Sequence, residues 1–175
     1  LAGKLESLDD DEGALELIDQ QVDSPAGYAG DAASWRAANA MRLRLLVRMK
    51  QFERGDQIAE AYEIDERREA DAFELDILTS GAKCARMQNR QDVAVRRAML
   101  AIERHQRGDA NRRGSTWLDV IAPPTPTSRI YLTAGEALRQ ARQPLEAINV
   151  FQQGRRWATR ESNAHAAAFC LSEVG

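Results

Sequence analysis

Apolar residues recur at helical spacing along almost the whole chain. The clearest stretch is 128–159, SRIYLTAGEALRQARQPLEAINVFQQGRRWAT. It predicts two amphipathic helices joined by a tight corner at Arg142-Gln143-Pro144. Neither helix can bury its apolar side alone, so the hairpin needs neighbours. Looser copies supply them. Ala14, Leu15, Ile18 and Val22 lie on one face; so do Trp35, Ala38, Met41, Leu45 and Met49. Further faces follow in 55–66, with Ala59 and Tyr62, and in 67–87, with Leu75, Leu78, Ala82 and Ala85. The spacing predicts a partner helix over 93–107 and a last helical segment over 161–174. These apolar positions follow the i, i+3, i+4, i+7 rule of one helical face.

Breaks in the rhythm mark the connections. Corners are expected at Lys50-Gln51-Phe52 and at Gln88-Asn89-Arg90, and a turn-rich connector at 23–30, DSPAGYAG. Asp9 to Glu12 form an acidic run suited to a first helical turn, where it complements the helix dipole. Residues 108–127 hold three prolines and cannot form one continuous helix. Thr116 with Asp119 would cap one short turn there, bearing Trp117 and Ile121. The apolar cluster of this inserted loop is expected to pack back on the helices; the sharper alternative has it lining or covering a groove.

Aligning the corners puts a small residue early in each second helix: Ala14, Gly55, Ala94 and Ala147. The interval is about 40 residues once the insertion is set aside, with two helices per unit, which is the signature of a solenoid. The organising hairpin resembles a tetratricopeptide repeat. Tyr131, Ala134, Gly135 and Leu138 match that family's first-helix pattern, and Ala147 with Phe151 its A-x₃-F pair. Thr159 stands where the family's proline usually falls. Residues 43–62 are a weaker match, with Gly55 and Ala59; 76–101 keep Ala94 and replace the aromatic with Ala98; the first unit is truncated. The resemblance implies an all-α fold: a right-handed α-solenoid of antiparallel helix pairs, about three and a half to four repeats plus a terminal helix. Gly55, Ala94, Tyr131, Gly135, Ala147 and Phe151 would be its packing residues. Residues 1–175 are expected to form a single domain of this kind. The chain opens mid-pattern at Leu1, so a segment of a longer protein is expected.

Composition adds limits. The 175 residues carry a net charge of −3, with 29% charged and only 6% aromatic residues. Global attraction to nucleic acid is not expected of this balance, and no apolar run is long enough to span a membrane. In tetratricopeptide arrays the first helix of each pair lines a concave face. Carried over by spacing, that face would present Arg44, Arg48, Lys83, Arg86, Arg129 and Arg139, with Asp76 and Glu136 among them. Such a face suits a carboxylate-rich segment or a chain terminus through charge-assisted bonds; the plainer reading is a solvated helix face rich in Arg.

Candidate chemistry is thin. Cys84 and Cys170 lack CxxC spacing and are expected to be reduced, half-buried thiols. His105 falls at a helix end, where a cation is favourable, and neither it nor His165 has a metal-ligand cluster nearby. A cysteine–histidine nucleophile pair is formally open, yet no nucleophile motif surrounds either thiol. No Gly-rich phosphate loop occurs. The tripeptide Arg-Gly-Asp appears at 54–56 and 107–109, where helix structure explains it better than adhesion. The expectation is therefore a non-enzymatic module with no cofactor and no metal. It would bind a protein or peptide in its concave groove as a scaffold or adaptor. The alternative is a sensory or regulatory domain of a transcriptional or signalling regulator that takes a peptide or small effector. The compartment stays open: cytoplasmic is the first expectation, periplasmic or secreted if an upstream signal peptide was removed.

Overall fold

A computed structural model describes residues 10–23, 32–63, 72–107 and 125–174. Among them are eight α-helices and no strand: α1 (Asp11–Val22), α2 (Ala32–Arg48), α3 (Phe52–Glu63), α4 (Ala72–Met87), α5 (Gln91–Gln106), α6 (Thr127–Gln140), α7 (Pro144–Arg160) and α8 (Ala164–Ser172). Helices α3 and α5 start a few residues before the apolar pattern did. The last segment is shorter than 161–174, because a fourth corner turns the chain at Glu161–Asn163 before α8 begins. The insertion's capped turn at Thr116 and the Gly108-Asp109 of the second Arg-Gly-Asp lie outside the described residues.

Local chemistry fixes the helix ends. The Asp10 carboxylate accepts from the Gly13 amide at 2.9 Å, and the Asn163 side chain from the Ala166 amide at 3.0 Å. Four helices end in one device. Lys50, Asn89, Arg142 and Ser162 take left-handed backbone, with φ of 59°, 61°, 60° and 55°. The next amide then reaches back five residues: Gln51 to the Leu46 carbonyl, Arg90 to Ala85 and Gln143 to Leu138, each at 2.9 Å, and Asn163 to Ala158 at 2.8 Å. Left-handed backbone strains a side chain with a Cβ by about 1–2 kcal/mol, and glycine's extra freedom when unfolded offsets part of that relief. Lys50→Gly and Arg142→Gly should each raise stability by about 0.5–1 kcal/mol. A higher urea midpoint at unchanged slope would show it.

Packing follows chain order. Each helix lies against the next, and α2 also packs on α4, α4 on α6, and α6 on α8. The even-numbered helices thus form a run of successive contacts. The core is divided accordingly. Leu15, Ile18, Met41, Leu45 and Leu46 join α1 to α2. Trp35, Leu43, Tyr62 and Ile77 join α2, α3 and α4, with Trp35 stacked on Tyr62 at 5.9 Å between ring centroids. A larger cluster runs from Leu75 and Leu78 through Ala94 and Ala98 to Tyr131, Ala147 and Phe151.

Small residues set the close approaches. A Cβ on Gly135 would stand 2.5 Å from the Phe151 ring, and one on Gly55 2.6 Å from the Cys84 sulfur. Helix α6 can therefore meet α7, and α3 can meet α4, only where the side chain is missing. Ala94, Tyr131 and Ala147 sit in the same buried layers.

A buried ion network ties α3 to α5. Arg97, 1% exposed, bonds the Asp56 carboxylate and the Glu63 carboxylate, and reaches the Gly81 carbonyl at 3.1 Å. Asp56 also pairs with Arg90, and Glu63 with Arg96 at 2.9 Å. The first Arg-Gly-Asp therefore lies inside α3 with its Asp buried and its Arg paired with Asp19.

Two expectations about single side chains change. The cysteines are free but fully buried, not half-buried. His105 sits edge-on between Tyr131, at 6.2 Å, and Trp157, at 5.2 Å. Burial pushes its imidazole below the usual range, with Glu161 opposing, so the helix-end cation gives way to a largely neutral ring. Glu161 serves instead as an acceptor for the start of α6, from the Thr127 amide at 2.6 Å and the Ser128 amide at 3.2 Å.

Candidate functional site

The even-numbered helices carry the cations expected on an inner face, and their contacts divide those cations into two groups. One group braces neighbouring helices. Arg44 of α2 pairs with Asp76 of α4. Arg86 of α4 pairs with Glu136 of α6 at 2.8 Å. Arg139 of α6 pairs with Glu173, just beyond α8. Arg48 of α2 turns the other way, to Asp11 of α1 at 2.8 Å. Asp76 is fully buried and also accepts from the Thr125 amide at 2.8 Å, so the chain entering α6 is pinned over this part of α4.

The second group is Lys83 and Arg129. Neither has an ion-pair or hydrogen-bond partner among the described residues. Lys83 lies on the face of α4 shared with Asp76 and Arg86, and Arg129 in the first turn of α6. Burial pushes the Lys83 ammonium below its usual value, then the Arg129 charge pushes it further; Glu136 opposes and Arg86 adds to the lowering. Burial also lowers Arg129, against the pull of Asp76 and with a push from Arg44. Physically, two partly desolvated cations repel each other and two flanking arginines. Among the described residues two carboxylates, Asp76 and Glu136, answer four positive groups. Half-buried charge without a counter-charge is costly, and an incoming anion relieves it. A carboxylate placed between the Lys83 ammonium and the Arg129 guanidinium would gain charge-assisted hydrogen bonds from both. Met87, 48% exposed, supplies an adaptable apolar contact at the end of α4.

So the structure brings Arg44, Lys83, Arg86 and Arg129 into one electrostatic neighbourhood. Arg48 and Arg139 lie at its flanks, occupied by acids of α1 and of the residues after α8. The acidic partners Glu136 and Glu173 set which cations remain available, and inspecting the cations alone does not find them. Cys84 offers no second chemistry. Burial, then the Asp56 charge, pushes its thiol up to about 12, so it holds its proton near neutral pH. Among the described residues no group of three or more His, Cys, Asp or Glu side chains could hold a metal ion, and no helix is long and apolar enough to cross a membrane. Compared with protein-family models, curated proteins and solved structures, the chain matches none.

Proposed function

We propose that this chain is a tetratricopeptide-like α-solenoid that binds a partner protein through the inner face of α2, α4 and α6, recognising an acidic segment or a chain terminus. The observation that carries the reading is the pair of cations, Lys83 and Arg129, that have no ion-pair partner among the described residues and stand on helices that pack directly on each other. The ordered contacts of the even-numbered helices, the repeated left-handed corner and the Gly135–Phe151 fit support the solenoid. The module works by binding: its inner face supplies charge and shape, and bond-making chemistry is not required of it. A role as scaffold or adaptor within a larger assembly fits a face with one charge preference.

Calorimetric titration with an acetylated hexaglutamate, as free acid and as C-terminal amide, tests it. The Lys83→Glu/Arg129→Glu variant should bind either probe at least about tenfold more weakly, since a hydrogen bond to a charged group contributes about 1.5–3 kcal/mol. Arg107→Glu, exposed at the end of α5 and paired there with Glu103, should leave affinity unchanged. Equal affinity in the wild type and the double variant removes the reading. A preference for the free acid over the amide would identify the chain terminus as the favoured group.

A further inference from the structure

A different surface has an uneven distribution of charge. Most arginines of the described residues are tied to carboxylates across helices, as in Arg42–Asp19, Arg54–Asp19, Arg90–Asp56 and Arg97–Glu63. Several of the exceptions cluster. Arg155, Arg156 and Arg160 of α7, and Arg142 at its entry, are exposed and have no carboxylate partner among the described residues. The Arg160 guanidinium lies over the Trp157 ring, 5.0 Å from its centroid, which fixes the position of this charge on α7. The acids nearest in sequence are engaged elsewhere, Glu161 on the start of α6 and Glu173 on Arg139. Along α7, Gln152, Arg156 and Arg160 form one i, i+4, i+8 ridge beside a groove of about 230 Å³.

Helix α1 presents the counterpart. Its sequence, DEGALELIDQQV, holds four acids and no base. Asp11 and Asp19 are used by Arg48, Arg42 and Arg54. Glu12 and Glu16 are exposed and line a groove of about 430 Å³ with Leu15 and Met49. Glu12, Glu16 and Gln20 form an i, i+4, i+8 ridge of the same pitch as that on α7. Laid antiparallel, the ridges bring Glu12 to Arg160, Glu16 to Arg156 and Gln20 to Gln152.

We infer that a second copy of this chain docks here: the acidic ridge of α1 on one copy lies along the arginine ridge of α7 on the next. Each copy then offers one acidic and one basic ridge, so the contact is head to tail, and copies either close into a ring or extend. Two facing ridges of three turns bury far less than the roughly 1,600 Å² of a standard interface, so the association is weak and salt-sensitive. It is independent of the inner face.

Sedimentation velocity tests it. The wild type should show mass rising with protein concentration at about 50 mM salt and falling to the monomer at about 500 mM. Arg155→Glu/Arg156→Glu/Arg160→Glu and Glu12→Lys/Glu16→Lys should each weaken association at least about tenfold. Mixing those two variants should restore it, because each then meets its complement. Lys83→Glu/Arg129→Glu should associate as the wild type does. The proposal is overturned by a wild type that stays monomeric at about 1 mM in low salt, by variants that associate unchanged, or by a mixture that does not recover. A monomer that instead binds a polyanion such as heparin would assign the arginine face to that ligand and also overturn it.

Discussion

Arg97→Ala should cost about 3–5 kcal/mol of stability, because it leaves the buried Asp56 carboxylate to the far more exposed Arg90 and removes its buried counter-charge. For a domain whose total stability is on the order of 5–15 kcal/mol, that is a large share. Arg97 spans two acids and the Gly81 carbonyl, each from a different nitrogen or direction, so Lys should rescue little of the loss. Replacing both partners, as Arg97→Met with Asp56→Leu, should be far milder. Glu63 would keep Arg96, and Arg90 would keep Glu60, so neither remaining charge is stranded. Urea unfolding of the three variants measures this. A double variant as unstable as Arg97→Ala alone would show that shape, and not the stranded charge, sets the cost.

Phe151→Ala should cost a similar amount, about 3–5 kcal/mol, and lower the melting temperature by roughly 10 °C. The ring is buried in the largest cluster, edge-on to Phe169 at 6.2 Å, and fills the space left by the missing side chain of Gly135. Gly135→Ala should itself destabilise. An added methyl gains about 0.5–1 kcal/mol as a better helix former, yet meets the ring and costs about 1–3 kcal/mol in strain. The two substitutions share one space, so the double variant should be less damaged than the two losses added together. Strict additivity in thermal melts would mean that Gly135 and Phe151 are not partners.

Much of the helical frame was legible because periodicity is a local property. The expected hairpin over 128–159 matches α6 and α7, and its corner falls where Arg142 turns left-handed. Gly135 and Phe151 could be paired from the repeat pattern. The charges were less legible. Arg86 and Arg139 are indistinguishable in sequence from Lys83 and Arg129 as helix-face cations. What separates them is an acid on the next packed helix, which only the fold supplies. One signal was present: Asp56–Arg90, Glu63–Arg97 and Arg139–Glu173 all bridge 34 residues. A scan for opposite charges at a fixed long spacing would have marked the braces. His105 failed for a related reason, since helix-end electrostatics is local and the burial by Tyr131 and Trp157 is not.

The inner face exists only if α2, α4 and α6 lie in succession. A methyl NOESY spectrum of the folded chain tests that order most directly. Ile77 shares a buried cluster with Leu43, and Leu78 one with Ile130. Cross-peaks should link Ile77 to the Leu43 cluster and Leu78 to the Ile130 cluster, with none between Leu43 and Ile130. Strong Leu43–Ile130 cross-peaks would mean that the helices gather round one shared centre, and the face carrying Lys83 and Arg129 would not form.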